Sequence, residues 1–443
     1  MTWQLPQEVR GLMEQLEAAG EAAYLVGGCV RDHLLQREPE DWDLATSALP
    51  QKTQQVFAGM PLVLDGLRHG TVGVVLGGRV YEITTLRREG PYEDHRHPSQ
   101  VCFVREIEAD LARRDYTINA MAWRGGALID PFGGQADLER RLLRCVGEPR
   151  CRLEEDALRI LRGLRFASQL CLEVDPAVRE ALHARRALLG DIAPERMQKE
   201  LLGLLCGPGA EQVLLEYADV LAVLIPEVGD AVGFCQHTPY HIYDVWTHIV
   251  KSICACPPDP LLRTVMLFHD LGKPYCFTQE AATGRGHFYG HAAISEQIIR
   301  RSLRALRFRQ DFIRKAALLV HYHDAPLEPQ PRLIRRWLNR LGRQGLEALI
   351  QVHLADNSAK NPAHGEKKLA SLRAYQEAVE EVLRQEDCFS LRDLAVNGRD
   401  LIAARVPQGP QVGEILSRLL EEVMDERLPN EREALLQRVR QLR

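Results

Sequence analysis

Asp41 and Asp43 stand one residue apart, a short way behind Gly27-Gly28-Cys29-Val30-Arg31-Asp32. On an extended chain side chains alternate with a period of two, so both carboxylates would leave the backbone on one face. Two carboxylates side by side repel, and a cation is their natural partner. Hard oxygen ligands in this number suit Mg²⁺ held jointly with the phosphates of a substrate. The double glycine would turn the chain into a helix over Val30–Leu35, whose N-terminus can face an anion. A phosphate-cradling turn beside a divalent-metal pair is the minimal equipment for moving a nucleotidyl group.

These residues need a frame of strands around them. Ala22–Val26 reads as a buried strand and Asp41–Leu44 as a second. Leu62–Asp65, Thr71–Leu76 and Arg79–Leu86 are the clearest further strands, punctuated by Gly66, Gly70 and Gly77-Gly78. From about Ala136 the pattern turns helical and stays so to the C-terminus, broken by Pro/Gly punctuation alone. The expected fold class is therefore α+β, a mixed head followed by an all-helical body. At 443 residues the chain has room for about three domains of ~150 residues.

Composition narrows the classes. A net charge of −5 means that a nucleic-acid partner cannot be argued from global charge, so any basic surface must be local. Eleven cysteines lack the paired spacing of zinc sites, no basic and apolar leader opens the chain, and no run approaches ~18 apolar residues. A cytoplasmic protein with reduced thiols and no membrane contact is expected.

Two further clusters carry polar chemistry. Arg113-Arg114-Asp115 with Asn119 suits phosphate and ribose contacts at a helix start, although a solvated capping turn has the same composition. In Glu155-Asp156-Ala157-Leu158-Arg159-Ile160-Leu161-Arg162, a helix would set Asp156, Arg159 and Arg162 within an arc of roughly 120°. Arg165 lies a further ~60° round. A paired Asp and Arg can present a hydrogen-bonding edge to a nucleobase. The competing reading is an exposed face with i,i+3 ion pairs.

The ordered set Gly27-Gly28-x-x-Arg31-Asp32, Asp41-x-Asp43, Arg113-Arg114-Asp115-x-x-x-Asn119-Ala120, Glu155-Asp156-x-x-Arg159 and Glu195-Arg196-x-x-x-Glu200 closely resembles the bacterial class II tRNA nucleotidyltransferases. That group comprises the CCA-adding enzymes and their poly(A) polymerase relatives, and the match covers roughly the first 210 residues. The resemblance implies a DNA polymerase beta-like nucleotidyltransferase head (residues 1–140) and a helical, nucleobase-binding neck (141–220). It implies Asp41 and Asp43 as catalytic Mg²⁺ ligands, with Gly27, Gly28 and Arg31 at the triphosphate. Arg113, Asp115 and Asn119 would lie near the incoming nucleotide. Asp156 and Arg159 would read the base edge, and Arg162 and Arg165 would complete the pocket. Arg87–Pro98 matches the flexible loop such enzymes carry, and Glu195, Arg196 and Glu200 would brace neck against head. The implied substrates are a tRNA 3′ end, CTP and ATP; a product of poly(A), only A or only C fits the same motifs. Trp42 is bulkier than the residue usual between the two aspartates and should affect packing, not chemistry. Glu82 could add a third carboxylate or simply face solvent.

Downstream, His248, His269-Asp270-Leu271-Gly272-Lys273-Pro274, His291, His321-Tyr322-His323 and Asp356 follow in an order that resembles HD-family phosphohydrolases. The resemblance implies an HD-type domain at 221–370, before a helical tail at 371–443. Its ligands would be His248, His269, Asp270, His291, His323 and Asp356, with His321 competing with His323. Mixed imidazole and carboxylate ligation suits Mn²⁺, Ni²⁺ or Zn²⁺ better than Mg²⁺. An active centre would remove phosphates from RNA ends, and an inactive one would clamp helices. A hypothesis of another class makes the whole chain an HD nucleotide hydrolase with a sensing head. Two arginine runs, Arg300 to Arg309 and Arg332 to Arg340, and neck residues Arg140, Arg141 and Arg144 are candidate phosphate tracks.

Overall fold

A computed structural model of the chain describes residues 3–90, 100–385 (the side chain of His364 apart) and 388–442. Residues 91–99, most of the loop expected at Arg87–Pro98, lie outside the described residues. The chain forms two compact units, Met1–Gly229 and Asp230–Arg443.

The first unit opens with helix α1 (Gln7–Ala18), whose Val9, Leu12, Met13 and Leu16 recur at helical spacing and are all buried. It packs on β1 (Ala23–Val26), a four-residue strand buried throughout, as does α2 (Gly28–Leu34). Then come β2 (Leu44–Thr46), α3 (Pro50–Val56), β3 (Leu62–Val63), β4 (Thr71–Leu76), β5 (Arg79–Thr85), β6 (Arg87–Glu89) and β7 (Val101–Phe103). Helix α4 (Ile107–Ala112), β8 (Ala122–Arg124), β9 (Ala127–Ile129) and α5 (Gly134–Glu139) complete the head. One sheet runs β3-β4-β5-β2-β1-β8-β9, with β2 and β5 parallel and every other neighbour antiparallel. Gly77-Gly78 and Gly125-Gly126 join its two hairpins with positive φ at both positions, the geometry that matches strand twist.

Three local expectations change. Asp41 to Asp43 precede β2 without being part of it; the Val26 amide still bonds the Asp43 carbonyl at 3.1 Å, which ties the segment to β1. Arg113 follows the C-terminus of α4, so the Arg-Arg-Asp cluster ends one helix and leads into a 3₁₀ turn at Thr117–Asn119. The third cluster is split, because Asp156 (φ −137°, ψ 103°) breaks α6 (Pro149–Glu155) from α7 (Leu158–Leu170). The neck continues through α8 (Pro176–Arg185) and α9 (Pro194–Cys206), and α7 lies along α9. It is not wholly helical: β10 (Leu142–Leu143) and β11 (Glu173–Val174) form a short parallel pair.

Among its described residues the second unit's regular structure is helical apart from a hairpin of Thr278–Gln279 with Gly286–His287. Its longest helix, Pro331–Ser358, is interrupted at Gly342 (φ +68°). The C-terminal helices Pro410–Met424 and Arg432–Leu442 gather around Leu401, Leu419, Leu435 and Val439 as an apolar core of their own. The boundaries expected at 220/221 and 370/371 fall inside the helices Ala218–Leu224 and Pro362–Arg384.

Candidate functional site

Gly27 ends β1 with φ +72° and ψ −126°, a conformation open to glycine alone, and a Cβ there would stand 2.9 Å from the Arg114 guanidinium. The turn starts α2 and sets Arg31 so that its Nη1 donates to Asn119 Oδ1 at 2.8 Å, while Asp32 pairs with the same guanidinium. Asp41 and Asp43 open onto the same space. Desolvation raises the Asp43 pKa, and the charges of Glu82 and Asp41 raise it further against the pull of Arg114. A carboxylate crowded by two others is stabilised by a divalent cation, so the donor set fits Mg²⁺. Trp42 turns aside to Trp3, 5.4 Å between ring centroids, and Trp3 stacks on His33 at 3.9 Å.

Opposite stands a wall of guanidinium groups, each held by a named partner. Arg113 pairs with Asp110 and Glu89, and Arg114 with Asp110. Arg162 Nε lies 2.8 Å from Asp115, Arg159 Nη1 2.7 Å from Glu155, and Arg165 pairs with Glu200. Burial would raise the Asp115 pKa, but Arg162, Arg159 and the Tyr116 amide more than reverse this and hold it at about 2. Arg31, Arg162 and Arg165 all lie within 5.5 Å of the buried Phe166 ring. Asp156 accepts from the Leu158 amide at 3.1 Å and takes a two-pronged bond from Arg196, at 2.9 and 3.3 Å. The expected Asp156–Arg159 pair is therefore replaced by Asp156–Arg196. Arg196 ties α9 to Asp156, in the break before α7, and Glu200 ties α9 to Arg165 and Arg162 of α7.

The twelve residues nominated for metal and nucleotide binding line one cavity of about 790 Å³: Gly27, Gly28, Arg31, Asp41, Asp43, Arg113, Asp115, Asn119, Asp156, Arg159, Arg162 and Arg165. Sequence reasoning missed Arg114, Phe166 and Lys199, which line it too. Arg114 stood inside a quoted motif. Phe166 and Lys199 carried no signal, since an aromatic or a lysine on an amphipathic helix has many ordinary uses.

In the second unit His248 comes from the helix Val245–Ala255, and His269-Asp270 follow Pro260–Phe268. His291 opens His291–Ala305, His323 follows Gln310–Tyr322, and Asp356 belongs to Pro331–Ser358. Two ligand groups share Asp270: one with His248, His269 and Asp356, the other with His291 and His323. The Nδ1 atoms of His269, His291 and His323 face the carbonyls of Met266, Phe288 and Val320 at 2.7, 2.9 and 2.7 Å. Each Nδ1 must then carry the proton, which turns an Nε2 lone pair inward. His248 and His269 Nε2 meet at 3.4 Å, and His291 and His323 Nε2 at 3.1 Å. Facing lone pairs beside two carboxylates require a cation or added protons. Burial would lower the His269 pKa, yet Asp270 and Asp356 raise it to about 9, the electrostatic sign of the same demand. The donor set fits a transition metal. His321 points elsewhere, its Nδ1 2.7 Å from Glu296.

The arginine runs separate on inspection. Arg335 is buried and bonded to the Met424 carbonyl and Glu426, and Arg336 is paired with Asp425. Arg144 is tied to Asp137 and the Phe132 carbonyl. Arg335 is thus an internal brace, whereas Arg336 and Arg144 are paired but half exposed. Among the described residues no helix is long and apolar enough to cross a membrane.

Comparison with known proteins agrees with this geometry. The family described as Poly A polymerase head domain matches residues 23–144. Residues 171–231 match the probable RNA and SrmB-binding site of polymerase A, and residues 287–439 a putative domain 2 of tRNA nucleotidyltransferase. The CCA-adding enzyme of Geobacillus kaustophilus is 36% identical over 97% of this chain and 95% of its own length. That of Geobacillus thermodenitrificans is 47% identical over 51% of this chain and 55% of its own. The crystal structure of the Bacillus stearothermophilus CCA-adding enzyme in complex with CTP superimposes with a TM-score of 0.74 at 30% identity, covering 99% of this chain and 98% of that one. The Thermotoga maritima CCA-adding enzyme complexed with tRNA shares the fold, at TM-score 0.57 and 20% identity.

Proposed function

Because this chain belongs to the CCA-adding enzyme family, we propose that it builds the 3′-terminal CCA of tRNA from CTP and ATP without a nucleic-acid template. The observation that carries this reading is the single cavity in which an acidic pair faces a guanidinium wall. Asp41 and Asp43 would hold Mg²⁺, which when bound supplies charge stabilisation at the reacting phosphate and lowers the barrier to deprotonation of the attacking hydroxyl. The 3′-oxygen of the RNA forms a bond to the α-phosphorus as the bond to the bridging oxygen breaks, and pyrophosphate leaves. Arg31, fixed by Asn119, and the Gly27-Gly28 turn would bind the triphosphate. Arg162 and Arg165, held by Asp115 and Glu200, would line the sugar and base. Asp156, oriented by Arg196, and Arg159 would offer acceptor and donor to the base edge, a contact of about 1–3 kcal/mol of discrimination. Positioning and electrostatics supply the rate, and no covalent nucleophile is needed. Within this reading 1–140 is the head and 141–220 the nucleobase-binding neck.

The test is incubation with labelled CTP and ATP, singly and together, and tRNA lacking its last three nucleotides. Ordered addition of C, C and A is expected. Runs of A on unrelated RNA with CTP ignored would instead mark a poly(A) polymerase, and addition of A alone or C alone a partial enzyme. Unchanged activity in Asp41→Ala would hand the chemistry to the second unit and reduce the head to a sensor.

A second activity is favoured by the inward-facing imidazole nitrogens. The cluster of His248, His269, Asp270, His291, His323 and Asp356 would hold Mn²⁺ or Ni²⁺ in an HD-type domain and remove phosphates from RNA 3′ ends before nucleotides are re-added. Release of phosphate from adenosine 2′,3′-cyclic phosphate or adenosine 3′-monophosphate by the metal-loaded chain is the expected result. No release with either metal removes this reading while leaving nucleotidyl transfer intact. The proposed setting is the cytoplasm.

A further inference from the structure

A second cavity, of about 290 Å³, adjoins the His/Asp cluster and is lined by Tyr240, His241, Asn357, Lys360, Gly365 and Lys368. Two of its walls are continuous with the cluster. Lys360 is paired with Asp356, and the His241 ring stands 5.1 Å from that of His248. The loop that carries Tyr240 is pinned to the opposite helix, Pro362–Arg384. The Asn361 amide bonds the Tyr240 carbonyl at 2.9 Å, and the Asn361 side chain donates to the Pro239 carbonyl at 3.0 Å. The cavity is thus built by the fold.

Its chemistry selects an anion that carries an aromatic group. Lys368 has no carboxylate partner among the described residues, so its ammonium is available at the rim. His241 is held in the wall by Thr238, whose hydroxyl lies 2.9 Å from its Nδ1. Tyr240 is 41% exposed at the mouth, with the Arg285 guanidinium 5.2 Å from its ring centroid. A lysine beside the cluster, a second at the rim, and an aromatic face with an arginine at the mouth make the pattern that grips a phosphate and stacks a base. The volume, at the lower edge of the ~300–1,000 Å³ of small-molecule sites, admits one nucleotide and excludes a helical stem.

We propose that this cavity receives the terminal phosphorylated nucleotide of a single RNA strand, its phosphate between Lys360 and Lys368 and its base against Tyr240. The proposal rests on the reading of the His/Asp cluster as a phosphohydrolase centre and names the residues that bring substrate to it. It also separates the two activities in space: every residue lining the large cavity lies within 1–229, and every residue of this one within 230–443.

The experiment uses the full chain loaded with Mn²⁺ and two phosphomonoesters, adenosine 3′-monophosphate and the baseless glycerol 2-phosphate. Lys368→Ala should raise KM for both about tenfold. Tyr240→Ala should raise it for the nucleotide alone by a similar factor. Bound manganese and CCA addition should stay at the parental level, which shows that both variants are folded. Parental KM values in both variants would overturn the proposal. If neither ester is turned over, the phosphohydrolase reading falls, and the cavity is judged by equilibrium dialysis of adenosine 3′-monophosphate. Weaker binding in both variants then sustains the cavity as a nucleotide site, and equal binding overturns it.

Discussion

The buried carboxylate of Asp115 shows how single residues divide the work around the large cavity. It touches Arg162 directly and keeps that guanidinium in place, at the expense of being unpaired if Arg162 is removed. Arg162→Ala should cost about 2–3 kcal/mol in urea unfolding. That is below the 3–5 kcal/mol of a fully buried pair, because Arg162 is 34% exposed. The sign of the pH effect follows from the depressed pKa. The Asp115 contribution is complete above the unfolded value of ~4 and fades as pH falls through about 2. Acid unfolding of Arg162→Ala should therefore start from a lower stability and lose less of it below pH 4. Asp43→Asn acts on the chemistry instead: kcat should fall by about 10²–10³ or more, the scale of losing one electrostatic stabiliser, with the urea midpoint nearly unchanged or raised. A large fall in the midpoint would make Asp43 a structural residue.

Among the elements, the turn between β1 and α2 has the least freedom. Gly27→Ala must adopt a φ that side chains avoid and meet Arg114 at 2.9 Å, so a cost of about 1–3 kcal/mol is expected, along with weakened CTP binding. Wild-type CTP affinity in this variant would remove the turn from the triphosphate site. The break at Asp156 has the opposite character. By leaving the helix, that residue frees its carboxylate for Arg196, which a continuous helix would have pointed along the α7 face. The neck thus reads bases, on our proposal, with a residue that is helical in neither flanking segment.

At the scale of the whole molecule, two polar centres sit in separately cored units, and each should answer to its own cation. Chelation should lower the unfolding temperature through the His/Asp cluster. A metal present at 100 times its Kd adds about 2.7 kcal/mol to the unit that binds it. His269→Gln should abolish that shift while CCA addition persists. A shift that survives the substitution would place the stabilising ion elsewhere. RNA contact belongs to this scale too. Arg304→Ala should lower the salt slope of tRNA binding by a little under one. Arg335→Ala should leave the slope alone and destabilise the fold, since Arg335 already bonds Met424 and Glu426. Equal slopes in Arg304→Ala and the parent would take the first arginine run out of the RNA path.

Chemistry was written locally and could be read there. The glycine turn, the spaced aspartates, the alternating strands and the ordered histidines are each set by a few neighbouring residues, because strand period, turn conformation and ligand type are short-range properties. What the linear order left undecided was partnership. Asp156 finds Arg196 forty residues on, Asp115 finds Arg162, four imidazoles from separate elements turn the same nitrogen inward, and Arg335 folds into the protein instead of toward RNA. Such pairings depend on where distant segments close in space, and burial then fixes which charges are neutralised and which remain to meet a ligand. No local pattern carries that information, so only the tertiary structure could assign it.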